Sequence, residues 1–346
     1  MVDVAVVGAA GYAGIEAVRW ILAHPRLSLA LATSTADAGT AVADLYPALC
    51  GATDAVFTAP DVSAIADAAD VALLAVPHTA AAAMVPALLE RGVRVVDMSA
   101  DFRLRDPQVY EAWYGVTHPC PELLAQAVYG LPEVSRAQMA DARLIACAGC
   151  YPTATILAAL PALESGIASG RRIAVDAKSG VSGAGRGANA TTHFVSANEA
   201  LAPYKVGAHR HTPEMEQILS SAAQTDVRVI FSPHLTPLTR GLVSTVYMDV
   251  EEGLSTDAAI ELYRGRYHAE PFVHVHRAGS MPSTSQVEGS NRASIGLHVD
   301  ERTSTLVAVC AIDNLGKGAA GQAIQCLNIA LGFDETDGLA MPGPVV

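Results

Sequence analysis

The residues best suited to chemistry lie in Ala146-Cys147-Ala148-Gly149-Cys150-Tyr151-Pro152-Thr153. Leu144-Ile145-Ala146 reads as the end of a buried strand, Pro152 suits the first turn of a helix, and an apolar run from Ile156 to Leu163 continues that helix. The spacing predicts Cys150 at the positive end of a helix dipole, where N–H groups and the macrodipole pull a thiol pKa from about 8.5 toward neutrality. Cys150 is therefore the candidate nucleophile, in preference to a buried structural cysteine. A second reactive pattern is His209-Arg210-His211-Thr212-Pro213-Glu214, two imidazoles before a helix start, with Thr212 as N-cap and Pro213 at the first helical position. Either histidine is a candidate acid–base group near pH 7, and the helix beyond His211 favours a neutral ring there.

Other segments are suited to anions. Gly8, Gly11 and Gly14 follow a predicted strand and open a predicted helix, so the loop Gly8-Ala9-Ala10-Gly11-Tyr12-Ala13-Gly14 is a candidate dinucleotide site with the pyrophosphate on the helix N-terminus. About 20 residues on, where an NAD enzyme presents an acid, stands Thr33-Ser34-Thr35. Hydroxyls there accept a 2′-phosphate without repelling it, which favours NADP with Ser34 as a contact, although Asp37 lies close enough to oppose this. Arg103, just past a strand end in Asp97-Met98-Ser99-Ala100-Asp101-Phe102-Arg103-Leu104, could clamp a carboxylate or phosphate, or could equally form a structural ion pair. Ser179-Gly180-Val181-Ser182-Gly183-Ala184-Gly185-Arg186 follows a strand-like run, Ile173 to Lys178. It reads as an anion loop through Ser182, Gly183 and Arg186 rather than as a linker.

These residues need a scaffold that points strand ends at one region. Strands are expected at Val4–Val7, Leu27–Thr33, Val71–Val76 and Val93–Asp97, with helices from the glycine loop to about Ala23 and from Ala80 to Arg91. That alternation predicts an α/β fold with a doubly wound parallel sheet. With 346 residues and 51% hydrophobic content, the chain has enough apolar material for two domains or one large one. A formal charge of −13 argues against nucleic acid or a membrane surface as partner, and no apolar run reaches spanning length, so a cytoplasmic protein is expected. Six scattered cysteines make neither a disulfide scaffold nor a structural zinc site.

In this order the segments resemble the N-acetyl-gamma-glutamyl-phosphate reductases of arginine biosynthesis. The likeness runs through Gly8–Gly14, Ser99–Arg103, Tyr129-Gly130-Leu131-Pro132-Glu133, Gly149–Thr153, Ser179–Arg186, His209–Glu214, Pro233-His234-Leu235, Gly289-Ser290-Asn291 and Asp313-Asn314-Leu315-Gly316-Lys317-Gly318. The resemblance implies a Rossmann NADP-binding domain over 1–149 with 315–346, and an α+β catalytic and dimerisation domain over 150–314. It further implies a homodimer or homotetramer, Cys150 as nucleophile, His211 as acid–base residue, His209 as the alternative, and Asn314 near the nicotinamide. The implied reaction is NADPH-dependent reduction of an acyl phosphate to the semialdehyde with release of inorganic phosphate, and it requires no metal. Another acyl phosphate such as aspartyl phosphate, or a silent NADP-binding sensor, are the rival readings. The sequence departs from the family's pattern at Cys147-Ala148, where a C-x-x-C arises that in isolation suggests a thioredoxin-like dithiol, and at Thr35, where many relatives carry arginine.

Overall fold

The computed structural model describes residues 1–340 with 342 and 343. The chain forms two compact units, Met1–Ala148 joined by a segment returning from Ala319, and a second unit built mainly from Gly149–Gly318.

In the first unit β1 (Val2–Val7) turns into α1 (Tyr12–Leu22), followed by β2 (Leu27–Thr33), α2 (Val42–Leu45), α3 (Val62–Ala68), β3 (Val71–Leu74) and α4 (Ala81–Glu90). Then come β4 (Arg94–Asp97), α5 (Pro107–Tyr114), β5 (Val128–Gly130), α6 (Pro132–Met139) and β6 (Leu144–Cys147). The strands form one parallel sheet in the order β2-β1-β3-β4-β6-β5. Inner strands of such a sheet are covered on both faces, which is why Val71-Ala72-Leu73-Leu74 and Leu144-Ile145-Ala146-Cys147 are apolar without alternation and buried throughout. β3 ends at Leu74, earlier than the expected Val76; Ala75 still gives its N–H to the Val7 carbonyl at 2.8 Å, and beyond it the chain turns toward Pro77, which has no N–H for a ladder.

Two glycines set the first turn. Gly8 has φ +82°, and a Cβ added there would lie 2.5 Å from the Ala75 carbonyl oxygen. One added at Gly14 would lie 2.3 Å from the Gly8 carbonyl oxygen. Only glycine lets α1 approach β1 this closely.

The second unit contains α7 (Cys150–Glu164), β7 (Ile173–Gly180), α8 (Phe194–Ala197), β8 (Ala202–Pro203), α9 (Thr212–Ala223), β9 (Val229–Thr236) and β10 (Leu242–Asp249). These are followed by α10 (Thr256–Tyr267), β11 (Val273–Val275), β12 (Ala293–Asp300) and β13 (Thr305–Ile312). Its mixed sheet has the order β11-β12-β13-β10-β7-β9-β8. α7 packs between this sheet, at β10 and β13, and the helices α9 and α10, so every residue from Tyr151 to Leu163 is buried. A helix apolar all round belongs in such a place. Pro161 within it lacks the N–H that would bond the Leu157 carbonyl; the Tyr267 hydroxyl donates to that carbonyl instead, at 2.8 Å. After a π-turn at Gly316–Ala320 the chain forms α11 (Gly321–Ala330), which packs on α1 and α6 in the first unit.

Candidate active site

Cys150 is the first helical residue of α7, with Gly149 as extended N-cap (φ −67°, ψ 157°) and Thr153 N–H bonded to the Gly149 carbonyl at 2.8 Å. The first-turn N–H groups, which a helix cannot satisfy internally, lie at this end. Cys150 is partly exposed while Cys147, at the end of β6, is fully buried, so the two sulfurs of the C-x-x-C differ in access. Gly318 in the π-turn backs onto the nucleophile: a Cβ added there would lie 2.9 Å from Cys150 Cβ and 3.2 Å from the Asp313 carbonyl oxygen.

The segment entering α9 supplies the imidazoles, and α9 itself one carboxylate that the sequence did not single out. Glu214, 1% exposed in the first turn of α9, accepts the Gly149 N–H on Oε1 at 2.9 Å and so ties the start of the cysteine helix to the start of the histidine helix. Its target is 65 residues away, and in sequence it reads only as an acid in a helix's first turn. The N-cap of α9 is His211, not Thr212 as the sequence suggested, because the first helical bond runs from Met215 N–H to the His211 carbonyl at 3.1 Å. Thr212 is buried inside the first turn and does not cap. His209 Nδ1 accepts the His211 N–H at 3.1 Å, which leaves Nε2 to carry the proton of the neutral ring. The two imidazoles stand 4.7 Å apart and both meet the edge or face of Tyr151, at 5.7 and 6.0 Å.

Tyr151 was not among the expected site residues, nor was Tyr204, whose hydroxyl donates to Tyr151 Oη at 3.4 Å; Tyr151 in turn donates to the His234 carbonyl at 3.0 Å. Burial pushes the Tyr204 phenol up to about 12, with the charge of Cys150 adding to it and the Tyr151 bond opposing. Burial raises the Tyr151 phenol as well. Both hydroxyls are therefore neutral donors over the working pH range.

The anion loop is ordered from behind. Asn314 Nδ2 donates to Ser182 Oγ at 2.9 Å, and Asn314 Oδ1 accepts the Gly241 N–H at 2.8 Å. Ser182 is thus held in place, Gly183 sits 3.1 Å from Ser179 Oγ at the position its Cβ would take, and Arg186 is exposed beyond the turn at Gly185. Asp313, completely buried, accepts N–H groups of Leu315 at 2.8 Å and Gly289 at 2.6 Å and faces Arg240 Nε at 3.0 Å, which fixes the turn leading to Gly318.

The first unit carries the other expected residues. Gly11 is the N-cap of α1 with no side-chain cap, and Tyr12, Ala13 and Gly14 form the first turn, leaving the helix start to backbone N–H groups. Thr33 is buried, its Oγ1 accepting the Gly8 N–H at 3.3 Å, so it braces the loop and does not face a ligand. Ser34 Oγ donates to Asp37 Oδ2 at 2.8 Å, and Thr35 is exposed. Arg103 is buried, with one guanidinium nitrogen donating to the Met98 carbonyl at 2.8 Å. Among the described residues no group of three His, Cys, Asp or Glu side chains is placed to hold a metal ion, and no helix is long and apolar enough to cross a membrane.

Comparison with known proteins adds three findings. Residues 3–142 match the semialdehyde dehydrogenase NAD-binding domain family, and residues 150–314 the semialdehyde dehydrogenase dimerisation domain family. The N-acetyl-gamma-glutamyl-phosphate reductase of Halorhodospira halophila is 50% identical over 340 residues, 98% of each chain, and that of Symbiobacterium thermophilum is 46% identical over 345 residues, 99% of each. Among solved structures, aspartate semialdehyde dehydrogenase II of Vibrio cholerae superposes with TM-score 0.73 at 18% identity, covering 96% of this chain and 99% of that one. An aspartate semialdehyde dehydrogenase with NADP from Candida albicans gives 0.72 at 15%, covering 95% and 98%. At such identities the structural likeness shows the fold.

Proposed function

Since this chain belongs to the family of N-acetyl-gamma-glutamyl-phosphate reductases, we propose that it reduces N-acetyl-L-glutamyl 5-phosphate to N-acetyl-L-glutamate 5-semialdehyde with NADPH, releasing phosphate. Cys150 forms the intermediate thioester and His211 moves the protons. The observation that carries this assignment is the pairing of two helix starts: an accessible cysteine begins α7, two imidazoles precede α9, and Glu214 locks the one start to the other.

The Cys150 thiolate attacks the acyl carbon, a C–S bond forms, and the C–O bond to phosphate breaks. First-turn N–H groups of α7 steady the oxyanion. His209, carrying its proton on Nε2, and the Ser182–Gly183–Arg186 loop are the groups that receive the leaving phosphate, with Arg103 as a further anion contact. The glycine loop fits a dinucleotide: its close packing at Gly8 and Gly14 leaves the uncapped α1 start open to a pyrophosphate. Gly8, Gly11, Tyr12, Ala13, Gly14 and Ser34 would hold it, with Asn314 acting through the Ser182 loop. NADPH, when bound, supplies the hydride for the acyl carbon. His211 then protonates the thiohemiacetal oxygen and later removes that proton, so that the C–S bond breaks and the thiolate is regenerated. The exposed Thr35 hydroxyl accommodates a 2′-phosphate, whereas the Ser34 hydroxyl proton is already given to Asp37, whose carboxylate limits the preference for NADP. The enzyme works in the cytoplasm as a homodimer or homotetramer, and the match of residues 150–314 to a dimerisation domain family supports assembly through the second unit.

The reverse reaction tests this reading. N-acetylglutamate semialdehyde should reduce NADP only when inorganic phosphate is present, and aspartate semialdehyde should be a far poorer substrate. Preference for aspartate semialdehyde would move the substrate assignment, and dinucleotide binding without turnover of either would make the protein a sensor.

A further inference from the structure

Thr79 is a β-branched residue at φ +75°, a region that L side chains adopt only when neighbours hold them there. It lies in the turn that leaves β3. In this sheet β1 is flanked by β2 on one side and β3 on the other, so the strand order reverses between β1 and β3, and open α/β sheets bind ligands in the crevice beyond such a reversal. The glycine loop at the end of β1 already touches the chain leaving β3: a Cβ added at Gly8 would meet the Ala75 carbonyl oxygen at 2.5 Å and Val76 Cγ1 at 3.5 Å. Pro77, His78, Thr79 and Ala80 are exposed there.

A single carboxylate holds the turn. Asp101, completely buried, accepts the Thr79 N–H at 2.7 Å, the Ala82 N–H at 3.0 Å and the Tyr110 hydroxyl at 3.2 Å. It thereby caps α4, whose own N-cap, Ala80, offers no side chain for the purpose. Tyr110 stacks on Tyr114 at 4.7 Å, and Tyr114 meets His78 edge-on at 5.8 Å, so the turn is gripped from its backbone side and its side-chain side by one closed set of residues. A glycine at 79 would adopt this backbone without strain. The chain instead carries threonine and spends a buried carboxylate on holding it, an arrangement expected where a turn must keep one shape.

We propose that Asp101 is a positioning residue for the cofactor, holding the Pro77–His78–Thr79 turn in its strained form so that His78 lines the dinucleotide crevice opposite the glycine loop. This rests on the dinucleotide reading given above. The test is NADPH binding to the full chain, followed by the fluorescence of the reduced nicotinamide. Asp101→Asn keeps one acceptor but turns an N–H donor toward the other amide; it should weaken binding at least tenfold, with kcat at saturating NADPH and KM for the acyl phosphate within about threefold. Adding Thr79→Gly to Asp101→Asn removes the strain that Asp101 opposes and should recover most of the lost affinity, which a residue needed only for folding would not show. His78→Ala, at an exposed position, should weaken binding fivefold or more, and decides the matter if Asp101→Asn proves insoluble. Wild-type affinity in His78→Ala, or no recovery in the double variant, overturns the inference. A wild-type chain that binds no dinucleotide would instead overturn the functional reading beneath it.

Discussion

Cys150 and Cys147 stand three residues apart with different exposure, and reactivity should follow exposure and helix position. Cys150→Ser is expected to abolish turnover while leaving NADPH binding intact, and Cys147→Ser to keep most activity; equal loss in both would remove the single-nucleophile mechanism. His211→Asn should leave Cys150 open to alkylation yet cut turnover by about a hundred to ten thousandfold, the range for losing an acid–base group. If His209→Asn alone had that effect, the proton-transfer role would pass to His209. Glu214 adds a test that the sequence did not suggest. Glu214→Gln keeps an acceptor for the Gly149 N–H but removes a negative charge beside the cysteine, so the pH at which Cys150 alkylates at half its maximal rate should fall. Glu214→Ala leaves the Gly149 N–H without its acceptor and should cost about 1–3 kcal/mol of stability as well as turnover. An unchanged alkylation profile in Glu214→Gln would mean that the carboxylate only ties the helices together.

At the scale of elements, the π-turn at Gly316–Ala320 matters more than its position near the end of the chain suggests. Gly318 rests against Cys150 Cβ, Asp313 and Asn314 fasten the turn to the loops around Gly289, Gly241 and Ser182, and π-turns recur at functional sites. A methyl group in a 2.9 Å gap must push α7 or the turn aside. Gly318→Ala should therefore destabilise by about 1–3 kcal/mol and lower kcat at least tenfold. Full activity in that variant would show that the turn yields without disturbing the thiol. The sequence identified α7 by its apolar run, but the origin of that run lies in packing: a helix enclosed by β10 and β13 on one side and α9 and α10 on the other has no wet face to mark its period.

For the molecule as a whole, one buried acid should shape stability against pH. Burial pushes Asp97 up from 3.8 to about 7, the neighbouring charge of Asp101 adds to this, and bonds from Ser99 oppose it. The folded state thus keeps the carboxyl protonated where the unfolded chain has already ionised. The stabilisation is complete below about pH 4, is lost as pH rises toward 7, and changes no further above that; over this window it amounts to about 4 kcal/mol at roughly 1.4 kcal/mol per pH unit. Asp97→Asn does not titrate, so its unfolding free energy should gain on the parent's as pH rises from 4 to 7. A constant difference across that range would show that Asp97 is already ionised in the fold.

Much of this protein can be read from local residues. The glycine spacing 8, 11 and 14, the strand–Gly-Cys–helix junction and the histidines before Pro213 each rest on a backbone requirement or a helix end, which neighbouring residues alone impose. The sheet follows from alternation of the same kind. What tertiary structure decided is which local groups meet. Glu214 finds Gly149 across 65 residues, Asn314 finds Ser182 across 132, and Asp101 reaches back 22 residues to a threonine held at positive φ. It also decided that Arg103 would be buried. Periodicity and caps record what a segment asks of its own backbone, whereas a buried hydrogen bond depends on where two distant segments are brought by the packing of everything between them.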